Sequence, residues 1–119
     1  MEGEFAARVL EDCPGISRYW MLDPWRHLSG WDKPFNIDDD AFEAAFHKTL
    51  SVTDFAREKR EVLRGTTREM IDEIKDASLD AAYVDGDHTL RGIVLDLISV
   101  WPKLKDGALL FGDDFSPSV

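Results

Sequence analysis

Apolar positions recur along this chain at two spacings, and the change from one to the other marks its elements. Leu90, Ile93, Val94, Leu97, Ile98 and Trp101 return at helical intervals, which predicts an amphipathic helix with one wide apolar stripe, closed by Pro102. Short apolar runs flank it. Leu79 to Val84 reads as a strand, and after the turn residue Gly107 the run Ala108 to Phe111 reads as a strand covered on both faces. Each strand leads directly into acidic residues, Asp85-Gly86-Asp87-His88 in the first case and Asp113-Asp114 in the second. Strand, helix and strand in that order predict a βαβ unit, whose neighbouring parallel strands lie roughly 5 Å apart with their carboxyl ends at one edge. Asp85 is thereby expected to approach Asp113 and Asp114.

Upstream, the pattern predicts a first helix from about Glu4 to Glu11, with Phe5, Val9 and Leu10 inward, ended by Pro14-Gly15. Arg18 to Leu22 reads as a strand that stops at Asp23-Pro24. The span from Trp25 to Ile37 mixes aromatic residues with Gly and Pro and reads as an irregular loop or lid. Asp38 to Arg57 is helical in pattern, in two pieces divided near Ser51, with Phe42, Ala45, Phe46 and Phe55 inward. Glu61 to Arg64 makes a weak strand. Gly65 turns the chain, and Thr66 with Glu69 has the spacing of a capping box for a short helix through Ile74. The order α-β-α-β-α-β-α-β predicts a wound α/β sheet.

Length and composition narrow the functional classes. At 119 residues and 44% hydrophobic content, the chain fits one domain with its own core. No apolar run is long enough to cross a bilayer and the N-terminus lacks signal-peptide character, so a soluble cytoplasmic protein is expected. Cys13 stands alone and is expected as a buried, reduced thiol without a catalytic role. A formal net charge of -10 argues against unspecific nucleic-acid binding, which needs clustered Lys and Arg. Small-molecule chemistry fits better. Asp38, Asp39 and Asp40 suit a helix N-terminus, Asp87 suits an N-cap, and His27 and His47 are single imidazoles without paired metal ligands.

Together these segments resemble a class I S-adenosylmethionine-dependent methyltransferase. Gly3 with Phe5-Ala6-Ala7 resembles the last glycine of the cofactor loop and the helix behind it, and Tyr19 to Trp25 resembles the second strand with its acidic end. Arg64-Gly65-Thr66-Thr67 resembles the end of the third strand, Leu79 to His88 the fourth, and Leu104 to Phe115 the fifth. The resemblance implies a Rossmann-like three-layer sandwich with a mainly parallel sheet and S-adenosylmethionine as cofactor. It further implies a cofactor site of Gly3, Asp23, Trp25, Gly65, Thr66 and Asp85, in which Asp23 accepts hydrogen bonds from the ribose hydroxyls. The Asp85-Gly86-Asp87-His88 and Gly112-Asp113-Asp114-Phe115 pair is similar to the branch of metal-dependent O-methyltransferases acting on catechols and macrolide sugars. There Asp85, Asp113 and Asp114 would hold Mg²⁺ beside a substrate hydroxyl, and His88 would take the hydroxyl proton.

One departure stands against this pattern. The family's first strand and early loop glycines would precede Gly3, and two further strands would follow Val119, so the expectation is a fragment that binds the cofactor weakly or not at all. Its sheet is expected either to have a hole about 10 Å wide, two strand spacings, or to have closed on itself. Two alternatives come from other classes. One is a metal-dependent glycosyltransferase-like domain with Asp85-Gly86-Asp87 holding Mn²⁺ and a sugar nucleotide. The other is a non-catalytic module that completes its sheet with a partner, including a homo-oligomer through exposed sheet edges.

Overall fold

A computed structural model describes residues 2–30, 34, 36–87 and 89–113. His88 and Asp114, both expected at the site, lie outside the described residues. The elements alternate as the pattern predicts: α1 (Glu4–Asp12), β1 (Tyr19–Asp23), α2 (Asp39–Val52), β2 (Arg60–Arg64), α3 (Thr67–Met70), β3 (Leu79–Val84), α4 (Leu90–Val100) and β4 (Leu104–Gly112). Single 3-10 turns follow α2, α3 and α4 at Asp54–Ala56, Ile71–Glu73 and Trp101–Lys103. Among the described residues the four strands form two parallel pairs, β1 with β2 and β3 with β4, and no ladder joins the pairs. Two compact units result, Met1–Thr66 and Thr67–Val119.

In the first unit, Ala6 of α1, Met21 of β1, Trp25 and Ala45 of α2 form the core, with Tyr19, Phe46 and Val62 packed against it. Helix α1 starts at Gly3, whose φ of 79° is left-handed. A side chain there would sit 2.9 Å from the Thr49 Cα, so Gly3 is required both by its backbone and by the approach of α2. Helix α2 is capped by the Asp38 carboxylate, which accepts the Ala41 amide at 2.8 Å. Its far end buries two hydroxyls without leaving either unsatisfied. Thr49 donates to the Ala45 carbonyl at 2.9 Å and Thr53 to the Thr49 carbonyl at 2.6 Å, while Arg60 donates to both Leu50 O and Thr53 Oγ1.

The second unit is a parallel pair with α4 as its connection. Its register runs from Leu79 opposite Leu104 to Ala81 opposite Leu109, a bulge that places the stretch 105–108 outside the ladder. Gly107, at φ 80°, lies in that bulge. From Ala81 onward the pairing is regular and ends with Val84 opposite Gly112. Lys103 is buried just before β4, and its ammonium donates to Asp76 at 2.7 Å.

Several burial expectations are corrected by the structure. Phe5 and Phe55 are exposed, and Ala6 and Ala56 take the inward places. The apolar stripe of α4 is largely uncovered, with Leu90 81%, Ile98 65% and Trp101 68% exposed. Strand β4 is covered on one face only: Ala108 and Leu110 are half-buried, whereas Leu109 and Phe111 alternate with them and are exposed. Spacing shows which residues share a face, but covering that face takes a second surface. Cys13 is exposed and follows α1 rather than lying within it.

Candidate cofactor corner and acidic rim

In the first unit the site residues gather where β1 and β2 end. Asp23 and Arg64 are register partners, and the Gly65 amide donates to the Asp23 carbonyl at 3.1 Å, extending the pairing one step past the ladder. Gly65 is buried and Thr66 half-buried beside it. The Asp23 side chain turns back on its own chain, and its Oδ1 accepts the Trp25 amide at 2.8 Å. Burial raises the Asp23 carboxyl above its ordinary value, and the Trp25 N–H, which favours the charged form, opposes that rise. A half-buried carboxylate at a parallel strand's carboxyl end, with more acceptor capacity than one amide uses, is the donor-set complement of two vicinal hydroxyls.

Trp25 does not belong to a lid. Only 3% exposed, it packs in the core with its ring centroid 5.2 Å from that of Phe46. The rest of the loop is also tied down where it is described. Asp39 accepts the His27 amide at 2.8 Å, and Asn36 makes two bonds to the Leu28 backbone at 3.0 and 2.8 Å. Gly3 caps α1 in this same unit without a side-chain bond. His47 lies on the surface 3.4 Å from Glu43.

The second unit carries the acidic rim. Because Val84 pairs with Gly112, Asp85 and Asp113 are each the next residue at the carboxyl end of adjacent strands, and both are exposed. Gly112 is required by this closeness, since a Cβ there would collide with the Val84 carbonyl. Gly86 has a different neighbour: a side chain on it would strike the Asp96 carboxylate, which reaches from α4 to the Asp85-Gly86-Asp87 turn. The helix cap is Thr89, whose hydroxyl accepts the Gly92 amide at 3.0 Å, and not Asp87 as the sequence suggests. Asp87 instead accepts both the amide and the hydroxyl of Thr89, at 2.9 and 3.0 Å.

A magnesium site needs more donors than the described residues of this rim present. Hard cations of this kind take several oxygen ligands, and among the described residues no group of three His, Cys, Asp or Glu side chains could hold a metal. Asp85 and Asp113 alone do not fit one. Two residues near the candidate positions carry no motif that sequence reasoning could have found, Glu43 and Asp96, and the motif that holds Arg64 does not announce its ion pair with Glu43 at the cofactor corner.

Parallel strand pairs joined by helices, with acidic residues at their carboxyl ends, are the architecture of a partial Rossmann-like fold. Residues 3–115 match the family model of a methyltransferase domain, and the chain belongs to that family. The resemblance to class I S-adenosylmethionine-dependent methyltransferases, drawn from the ordered motifs, is borne out at that level. The comparison with curated proteins returns no match. No helix among the described residues is long and apolar enough to cross a membrane.

Proposed function

We propose that this chain is a domain of an S-adenosylmethionine-dependent methyltransferase acting on the oxygen of a small-molecule hydroxyl. The observation that carries this reading is Asp23, half-buried at the end of a parallel strand in a chain of the methyltransferase family. S-Adenosylmethionine, when bound, supplies a methyl group on a sulfonium that a nucleophilic oxygen can displace. The chain's own part is to bind and orient. Asp23 accepts the two ribose hydroxyls, Gly65 and Thr66 lie beside it for the adenine, and the buried Trp25 closes the corner against water. As the new C–O bond forms and the C–S bond breaks, the acceptor hydroxyl must lose its proton, and His88 is the candidate base. The described carboxylates fall short of a metal's donor set.

Calorimetric titration with S-adenosylhomocysteine, with and without Mg²⁺, tests the reading. Saturable binding that Asp23→Ala abolishes supports it, and binding unchanged by that substitution overturns it. A second reading, a module that self-associates through its sheet, draws on the β3–β4 pair, where Tyr83, Leu109 and Phe111 form an exposed apolar face. Sedimentation that stays monomeric over a wide concentration range would remove it.

A further inference from the structure

The corner after β1 depends on a backbone conformation that its sequence does not favour. Trp25 has φ 42°, and apart from glycines only Ala77 shares a positive φ among the described residues. A left-handed conformation costs a bulky residue roughly 1–2 kcal/mol, and it persists only where the surroundings over-determine it. Three contacts do so here. Asp23 Oδ1 takes the Trp25 amide, the Phe46 ring packs against the indole, and the Trp25 carbonyl accepts from Arg64 Nη2 at 3.0 Å. That same Nη2 also donates to Glu43 of α2, and the guanidinium carbon lies 4.5 Å from the centre of the Phe46 ring.

We propose that Arg64 is a positioning residue for the cofactor corner: it holds Trp25 in its left-handed turn and, through the Trp25 amide, fixes the direction of the Asp23 carboxylate. The proposal deepens the assignment of Asp23 to the ribose and rests on it. A guanidinium is suited to the task because it is planar and can stack on Phe46 while donating to two acceptors. Lysine would keep the charge and lose the stack. The Arg64–Glu43 pair is partly exposed, so its Coulomb energy is small and its effect is orientation.

The test uses the full isotope-labelled chain as wild type, Arg64→Lys and Arg64→Met. The amide-to-Hα coupling of Trp25, read together with its intraresidue amide-to-Hα NOE, which is strong only at positive φ, reports φ, and its amide exchange rate reports the bond to Asp23. Titration with adenosine and with 2′,3′-dideoxyadenosine reports preference for the diol. In Arg64→Met, Trp25 is expected to return to negative φ, its amide to exchange about tenfold faster, and the diol preference to fall about tenfold, the scale of one charge-assisted hydrogen bond. Arg64→Lys is expected to show the same losses in smaller measure. A merely stabilising role would lower the melting temperature and leave the coupling and the diol preference unchanged, which would overturn the proposal. Should Arg64→Met fail to fold, Arg64→Lys with Glu43→Gln decides it by the same measurements. A wild-type chain without diol preference would overturn the assignment of Asp23 to the ribose, while the coupling and exchange data would still judge the hold of Arg64 on Trp25.

Discussion

Asp87 and Thr89 form a closed pair at the start of α4, in which the Asp87 carboxylate takes both the amide and the hydroxyl of Thr89. Thr89 passes the constraint on by accepting the Gly92 amide. The acidic turn and the helix are therefore one bonded structure, and the room for it comes from Gly92, where a Cβ would collide with the Asp87 carboxyl.

Gly92→Ala is accordingly expected to destabilise the chain, although alanine is the better helix former. Asp87→Gly removes both the Cβ and the carboxyl that a side chain at Gly92 would strike, so the double variant should be less destabilised than the sum of the single ones. A coupling energy of about 1 kcal/mol or more in a urea-denaturation cycle is the expected result.

Gly3→Ala combines a left-handed backbone with a contact 2.9 Å from the Thr49 Cα. A loss of about 2–4 kcal/mol is expected from strain and overpacking together, read as a lower urea midpoint. The effect should appear without ligand, because the crowding comes from α2 and not from a cofactor.

Asp23 titrates in a direction opposite to that of a salt-bridged carboxylate. Its folded value is raised by burial, so between the ordinary carboxylate value and that raised value the folded chain holds the extra proton. Stability from this group is full below the unfolded value and is lost as pH rises through the folded one. Asp23→Asn should therefore gain stability over wild type as pH rises from about 4 to about 8, while losing nucleoside binding. Thermal melts across that range check the sign.

Leu109→Lys and Phe111→Lys replace apolar side chains that are 68% and 51% exposed. Each is expected to change stability by no more than about 0.5 kcal/mol, and to reduce binding of a hydrophobic dye. A large loss of stability would show that this face is covered.

The element order was legible because spacing and punctuation carry it: Pro14-Gly15 and Asp23-Pro24 each mark an end that the structure keeps, whereas Gly107, expected as the turn into the last strand, lies in the bulge inside β4. Parallel pairing followed from the βαβ order, and with it the shared edge of Asp85 and Asp113. Coverage was not legible, since whether Leu109 or Ile98 is buried depends on a second surface and not on period. The cap of α4 was not legible because Asp87 and Thr89 are both good caps by type, and only the bond from the Gly92 amide, which goes to Thr89, separates them. Nothing local announces a tryptophan at positive φ, or an arginine that reaches it from 39 positions away. Such relations exist only once β1 and β2 have paired.

The bulge between Leu104 and Leu109 gives β4 slack. Chain added to or removed from the stretch 105–108 is absorbed outside the ladder, so the parity of everything after Leu109 survives it. One codon gained or lost between Leu109 and Gly112 has no such refuge, because it would exchange the inner and outer sides of the strand and swing its acidic tip away from Asp85.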